Sequence, residues 1–69
     1  MKRSPLDRGR HCADILTGEP KDTLLKLKID IQKSIEHKLA EGLDGTNDSL
    51  AFLLGFEDQL TENLKRLSV

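Results

Sequence analysis

The sequence has few cysteines that could cross-link a small protein and few aromatic residues that could stack on nucleic-acid bases. It contains one cysteine, Cys12, together with two phenylalanines and no tryptophan or tyrosine in 69 residues. A single cysteine excludes a disulfide within the chain and favours a reducing, cytosolic setting. Two phenylalanines are few for a protein that binds single-stranded nucleic acid by stacking bases on aromatic rings.

Long apolar runs are also absent. No stretch approaches the roughly 20 apolar residues of a membrane span, and no apolar segment follows the basic start as it would in a secretory signal. We therefore expect a cytoplasmic protein without a membrane partner. In a single domain this short, the core supplies only about 3–5 kcal/mol, so we expect a partner or a second copy to stabilise it.

The sequence also lacks clusters of residues that could bind a metal or catalyse a reaction. Metal-ligand candidates are limited to His11, Cys12 and His37, and the first two point about 100° apart on a helix. Cys12 is better interpreted as a small buried apolar residue. The loop GLDGTND at 42–48 lacks the bidentate glutamate of a calcium loop, and no phosphate loop occurs. We predict no enzyme, no metal, no cofactor and no small-molecule substrate.

Helical signals cover most of the chain. Ser4 suits a helix cap and Pro5 suits a first helical position, so residues 5–16 are expected to form a short helix or else a flexible arm. We assign residues 1–18 to this basic arm or helix, and residues 19–69 to an antiparallel helical hairpin. Its elements are a helix at about 20–41, a turn at 42–46 and a helix at about 47–67.

Apolar residues recur every three or four positions in both long segments, which predicts one buried stripe on each helix. The expected core consists of these residues: Leu24, Leu27, Ile31, Ile35, Leu39, Leu53, Leu60, Leu64 and Leu67. The fold class that follows is all-α: an antiparallel two-helix hairpin with a short N-terminal helix, dimerising into a four-helix bundle.

The stretch LAFLLGF at 50–56 has more apolar residues than one stripe needs. Ala51 and Gly55 are four residues apart, a spacing of small residues at which a second helix can approach closely. The surplus predicts an interface with a second copy or another protein, while two alternatives stay open. Residues 5–16 of the same chain could cover it, and Gly55 could be a tolerated glycine. The predicted interface consists of these residues: Leu50, Ala51, Phe52, Leu54, Gly55 and Phe56.

Charge is distributed unevenly along the chain. Residues 1–12 carry a net charge of +3, residues 13–40 are neutral, and residues 41–69 carry −4. The basic cluster predicts contact with an anionic partner through these residues: Lys2, Arg3, Arg8 and Arg10. Nucleic acid is one such partner, and we keep a nucleic-acid-associated accessory or regulatory protein as the alternative function. The sequence pI near 6.1 is below the values above 9 that are typical of nucleic-acid binders.

The pattern DRGRHCADIL from Asp7 to Leu16, with the closing leucines Leu60, Leu64 and Leu67, resembles small helical-hairpin accessory proteins of tailed bacteriophages. The resemblance covers most of the chain and carries no catalytic residue. It implies a virion or assembly component, or an inhibitor of a host factor, in the host cytoplasm or the virion. The predicted function is a non-enzymatic protein–protein interaction module that acts by assembly or by occluding a host protein surface.

Overall fold

The protein is all-α, as the sequence predicts. The computed structural model describes residues 4–16 and 18–67, in which three helices follow one another: α1 (Pro5–Asp14), α2 (Lys21–Ala40) and α3 (Asp48–Leu67). None of these described residues belongs to a β-strand. Both long helices begin and end within one residue of the expected bounds. Residues 5–16 were expected to form either a short helix or a flexible arm, and the structure shows a helix there, α1.

Local capping sets the start of α1. The Ser4 side chain accepts a hydrogen bond from the backbone N–H of Asp7 at 3.2 Å, which satisfies one of the free donors of the first turn. Pro5 is the first helical residue, where its missing N–H costs nothing. A helix of only ten residues is marginal in isolation, so α1 depends on packing for its stability.

A glycine ends α2. Gly42 adopts a φ of 90°, a conformation that residues with a side chain rarely adopt. This turn lets the N–H of Leu43 donate to the carbonyl of Lys38 at 3.2 Å, while the N–H of Gly42 donates to Leu39 at 3.0 Å. The pair of bonds is a Schellman motif, and it satisfies carbonyls that the helix end would leave free.

The helix α3 is the element on which both other helices pack, and its contact with α1 is more extensive than its contact with α2. A buried cluster joins all three helices near the end of α3. It consists of Ala13, Leu24, Leu60 and Leu64, with Leu16, Leu27, Ile31 and Phe56 packed against it. The core is small, so few side chains hold the molecule together.

Two glycines allow α1 and α3 to touch through their backbones. A Cβ added to Gly9 would lie 2.9 Å from the backbone nitrogen of Phe56 and closer still to the carbonyl oxygen of Phe52. A Cβ added to Gly55 would likewise lie 2.9 Å from the carbonyl carbon of Leu6 and closer to its oxygen. Each helix therefore contributes the glycine that admits the backbone of the other.

Polar contacts extend the α1–α3 interface beyond the glycines. The buried Asn63 side chain donates to the carbonyl oxygen of Ala13 at 3.2 Å. Arg10 forms an ion pair with Asp58, and both side chains are about half exposed. An exposed pair of this kind contributes little, typically below about 1 kcal/mol, so the apolar and backbone contacts dominate.

Two residues of the predicted core lie outside it. Leu39 is 53% exposed and Leu67 is 47% exposed, so their assignment to the core is corrected. Each lies in the last turn of its helix, where periodicity continues but no neighbouring helix covers the side chain. The remaining predicted core residues are buried (Leu24, Ile35, Leu60 and Leu64) or half-buried (Leu27, Ile31 and Leu53).

Over the described ranges, no helix combines the length and the apolar character that crossing a bilayer requires.

Replacing Gly55 with alanine is expected to lower the free energy of unfolding by about 1–3 kcal/mol. The new methyl group would overlap the Leu6 backbone, and this overpacking outweighs the gain of about 1 kcal/mol in helix propensity. Gly9→Ala is expected to have the same effect for the reciprocal reason. Urea unfolding followed by circular dichroism measures the change.

Gly18→Ala is the matched control, because no described atom beyond its chain neighbours lies within 4 Å of the position that its Cβ would take. We expect this control to stay within about 0.5 kcal/mol of the wild type. If Gly55→Ala and Gly18→Ala unfold at the same urea concentration, the two backbones do not touch at Gly55.

Candidate functional site

A groove open to solvent lies where the three helices meet, at the start of α3. Its volume is about 440 Å³. We call it the α3 groove and define it by its lining residues: Arg8 of α1, Lys38 of α2, and Asp48, Ser49, Phe52 and Leu53 of α3. The groove combines an apolar surface with charged groups, and every helix contributes to it.

The apolar part of the groove is anchored to the core. The centroids of the Phe52 and Phe56 rings are 6.3 Å apart, and the interplanar angle is 32°. Phe56 in turn packs against the buried cluster. Aromatic pairs at this separation attract each other. Phe52 and Leu53 are half-buried, so they present a positioned apolar surface to the groove.

The cationic part of the groove comes from two different helices. Arg8 precedes Gly9, whose close approach to the Phe52 backbone brings the start of α1 beside this part of α3. Lys38 lies in the last turn of α2 and is half-buried. Neither cation forms an ion pair with a carboxylate in the described ranges. Both charges are therefore available to a bound group.

Lys38 is a groove residue that the sequence analysis missed. It lies in the neutral stretch 13–40, where five cations and five anions balance and none stands out. Its position three residues after Ile35, on the buried side of α2, was a usable signal, because such a residue lies beside the neighbouring helix. Only the packing of α2 on α3 brings it to Phe52.

The turn before α3 fixes where the groove begins. The Asn47 side chain accepts from the N–H of Leu50 at 3.1 Å and caps the helix. Asp44 accepts hydrogen bonds from both the hydroxyl and the backbone N–H of Thr46. These bonds hold the pKa of the Asp44 carboxyl below its ordinary value because they stabilise its charged form. The bond from the Thr46 hydroxyl has the larger effect, and the bond from the backbone N–H has the smaller one.

The predicted interface residues do not share one exposed face. Leu50 and Gly55 are buried within the protomer, Gly55 against α1, so neither is exposed to a partner. Phe52 faces the groove. Ala51 and Phe56 are half-buried, and Leu54 is exposed. The expected exposed surface of six residues is corrected to a smaller one, since α1 covers part of the apolar surplus.

The predicted basic cluster is divided. Arg10 pairs with Asp58 and thereby helps to hold α1 on α3, whereas Arg8 lines the groove. Lys2 and Arg3 lie outside the described residues. The structure therefore brings together one residue from each predicted set, Arg8 from the anionic-partner residues and Phe52 from the interface residues.

Residues that could bind a metal are dispersed. Within residues 4–16 and 18–67, no three histidine, cysteine, aspartate or glutamate side chains form a group that could hold an ion. Cys12 is a free, half-buried thiol on α1. The Nε2 atom of His37 lies 3.1 Å from Glu41, one turn away on the exposed surface.

Comparison of the chain with protein-family models, with curated protein sequences and with solved structures finds no match. The resemblance to bacteriophage accessory proteins therefore stays a prediction, and the α3 groove has to be interpreted from its own geometry.

Replacing Thr46 with valine is expected to raise the pKa of Asp44 toward its ordinary value, because the hydroxyl donor is lost. The depressed pKa stabilises the fold at pH values above the unfolded-state pKa, and this contribution disappears as the pH falls through the folded-state pKa. A pH titration of the Asp44 carboxyl carbon by NMR measures the change. Thr46→Ser keeps the hydroxyl and should keep the low pKa; equal titration of Thr46→Val and wild type would contradict this account.

Proposed function

We propose that this chain is a small, non-enzymatic protein–protein interaction module that acts by assembly or by occluding the surface of another protein. The observation that carries the proposal is the α3 groove, which combines an anchored apolar surface with two cations that have no ion-pair partner among residues 4–16 and 18–67. Apolar anchors in the centre of a patch and charged groups around them are the usual composition of a protein-binding surface.

The shape of the groove also favours a macromolecular partner. Sites for small molecules are concave and bury most of the ligand surface. The α3 groove is instead open to solvent, and α1, which forms one side of it, is only ten residues long. An open groove of this kind suits side chains that project from a larger partner.

Self-association is a second proposal, in which the hairpin of α2 and α3 pairs with a second copy to form a four-helix bundle. Its support is an apolar pair outside the core: Leu25 is 40% exposed and Ile29 is 51% exposed. They lie four residues apart and so share one face of α2. Burial of this pair against a second copy would add to the small core.

The alternative of a nucleic-acid-associated protein loses part of its basis when Arg10 is engaged with Asp58. It stays a prediction for the remaining basic residues. Binding to phosphates weakens steeply as salt concentration rises, whereas an apolar interface changes little, so a salt titration separates the two.

The resemblance to tailed-bacteriophage proteins belongs to the same proposal. As part of the proposal, the resemblance implies that the partner is a host protein or a virion component and that the chain acts in the host cytoplasm or the virion.

The interaction function is tested by selecting displayed random peptides on the immobilised protein. We expect enrichment of sequences that bind the wild type and bind Phe52→Glu at least tenfold more weakly, because the new carboxylate replaces the apolar anchor. Ile15→Glu, which adds the same charge at a side chain that is 70% exposed and outside the groove, should retain the peptides. Absence of any peptide that distinguishes Phe52→Glu from Ile15→Glu would contradict the proposed function.

Self-association is tested by light scattering after size exclusion over a hundredfold range of protein concentration. If a dimer forms through α2, Ile29→Glu is expected to yield the monomer mass. If it forms through the groove, Phe52→Glu should do so instead. A monomer mass for the wild type at every concentration contradicts the dimer. Should Phe52→Glu unfold a protein already known to be monomeric, Phe52 is a core residue and the interface through it is wrong.

A further inference from the structure

We propose that the partner of the α3 groove is an acidic protein segment that also carries a large apolar side chain. This inference rests on the proposed function, and it specifies the chemistry of the segment that binds. Its basis is the complementarity of the groove in both charge and polarity.

Charge favours an anionic segment. The groove contains Arg8 and Lys38 but a single carboxylate, Asp48, so its net charge is +1 in a chain whose net charge is −1. Arg8 forms no ion pair within the described part of the chain, and an arginine can form paired hydrogen bonds with a carboxylate that are among the stronger contacts available at a surface. A basic segment would instead place its charges next to both cations.

The apolar surface requires more than charge from the partner. Phe52 and Leu53 share the groove with charged and polar side chains, and burying their apolar surface against an apolar side chain of the partner is favourable in free energy. Phe52 is positioned by its contact with Phe56 and does not have to be ordered on binding. A segment that carries carboxylates but no apolar side chain would leave Phe52 and Leu53 exposed to solvent.

Asp48 and Ser49 make a peptide a better occupant than a phosphate chain. Their side-chain oxygens can accept hydrogen bonds from the amide N–H groups of a peptide. The Asp48 carboxylate would repel the continuous negative charge of a nucleic-acid backbone, whereas a peptide can place its carboxylates beside the cations alone.

The start of α3 is not itself the anion site in this proposal. The N–H groups of Leu50 and Ala51 already donate to the side chain and the carbonyl of Asn47, at 3.1 and 2.9 Å. The contacts that we propose for the carboxylates of an acidic segment are those of Arg8 and Lys38. The experiment measures how far binding depends on these two side chains.

The test is an NMR titration of the isotope-labelled full chain with three capped six-residue peptides. The probe is Glu-Asp-Phe-Leu-Glu-Asp, and the references are Lys-Arg-Phe-Leu-Lys-Arg and Glu-Asp-Ser-Ser-Glu-Asp. We expect the probe to bind at least tenfold more tightly than either reference. The shifted amide signals should include those of Ser49, Phe52 and Leu53.

Variants with matched charge locate the binding. The double variant Arg8→Ala with Lys38→Ala is expected to weaken binding of the probe at least tenfold. The control variant, Lys26→Ala with Lys33→Ala, removes the same charge from exposed positions of α2 outside the groove and should change binding less than twofold. Equal losses in both double variants would mean unspecific attraction and would overturn the proposal.

Other outcomes separate this inference from the proposed function. If the Lys-Arg peptide binds as tightly as the probe and Phe52→Glu weakens it, the groove binds proteins but the acidic chemistry is wrong. If a ten-nucleotide thymidine strand binds and loses affinity in the Arg8 and Lys38 variant alone, the groove binds nucleic acid and the proposal is also wrong. If none of the three peptides shifts groove signals, the inference fails, and the displayed-peptide selection decides the function.

Discussion

Where α1 crosses α3, Gly9 and Gly55 let the backbones of the two helices touch. A helix of ten residues is marginal in water by itself, so α1 depends on this packing. The crossing brings Ala13 into the buried cluster with the leucines of α2 and α3, and it brings Arg10 to Asp58. In a domain with so small a core, the position of one short helix decides what else is buried.

The same crossing forms the α3 groove. One face of α1 is used to hold the helix in place, while Arg8, next to the glycine, is left beside Phe52 without a carboxylate partner in the described ranges. Two arginines of one helix thus have different roles, since Arg10 is paired with Asp58 across the α1–α3 interface and Arg8 supplies charge to the groove. Stability and the proposed recognition are linked, because a loss of the α1 contact would also remove one side of the groove.

Periodicity was a good guide to the helices and a weaker guide to burial. The leucine and isoleucine spacing predicted both long helices, yet Leu39 and Leu67 follow that spacing and are exposed. The spacing of Ala51 and Gly55 indicated a close helix contact, and α1 makes it at Gly55, one of the two coverings that the pattern allowed. The spacing of apolar residues within one helix indicates which face is apolar. It does not indicate which other helix covers that face, or how much of the helix length is covered.

By itself the sequence determined the all-α class and the approximate bounds of α2 and α3, because caps, glycines and apolar spacing act over a few neighbouring residues. It also identified Arg8 and Phe52 as candidate binding residues, but as members of two separate sets. Only the tertiary structure decided that these two share a groove, that Lys38 joins them, and that Leu50 and Gly55 are buried. Those outcomes depend on contacts between residues distant in the chain, which form only when the helices pack, so the local order of the amino acids does not specify them.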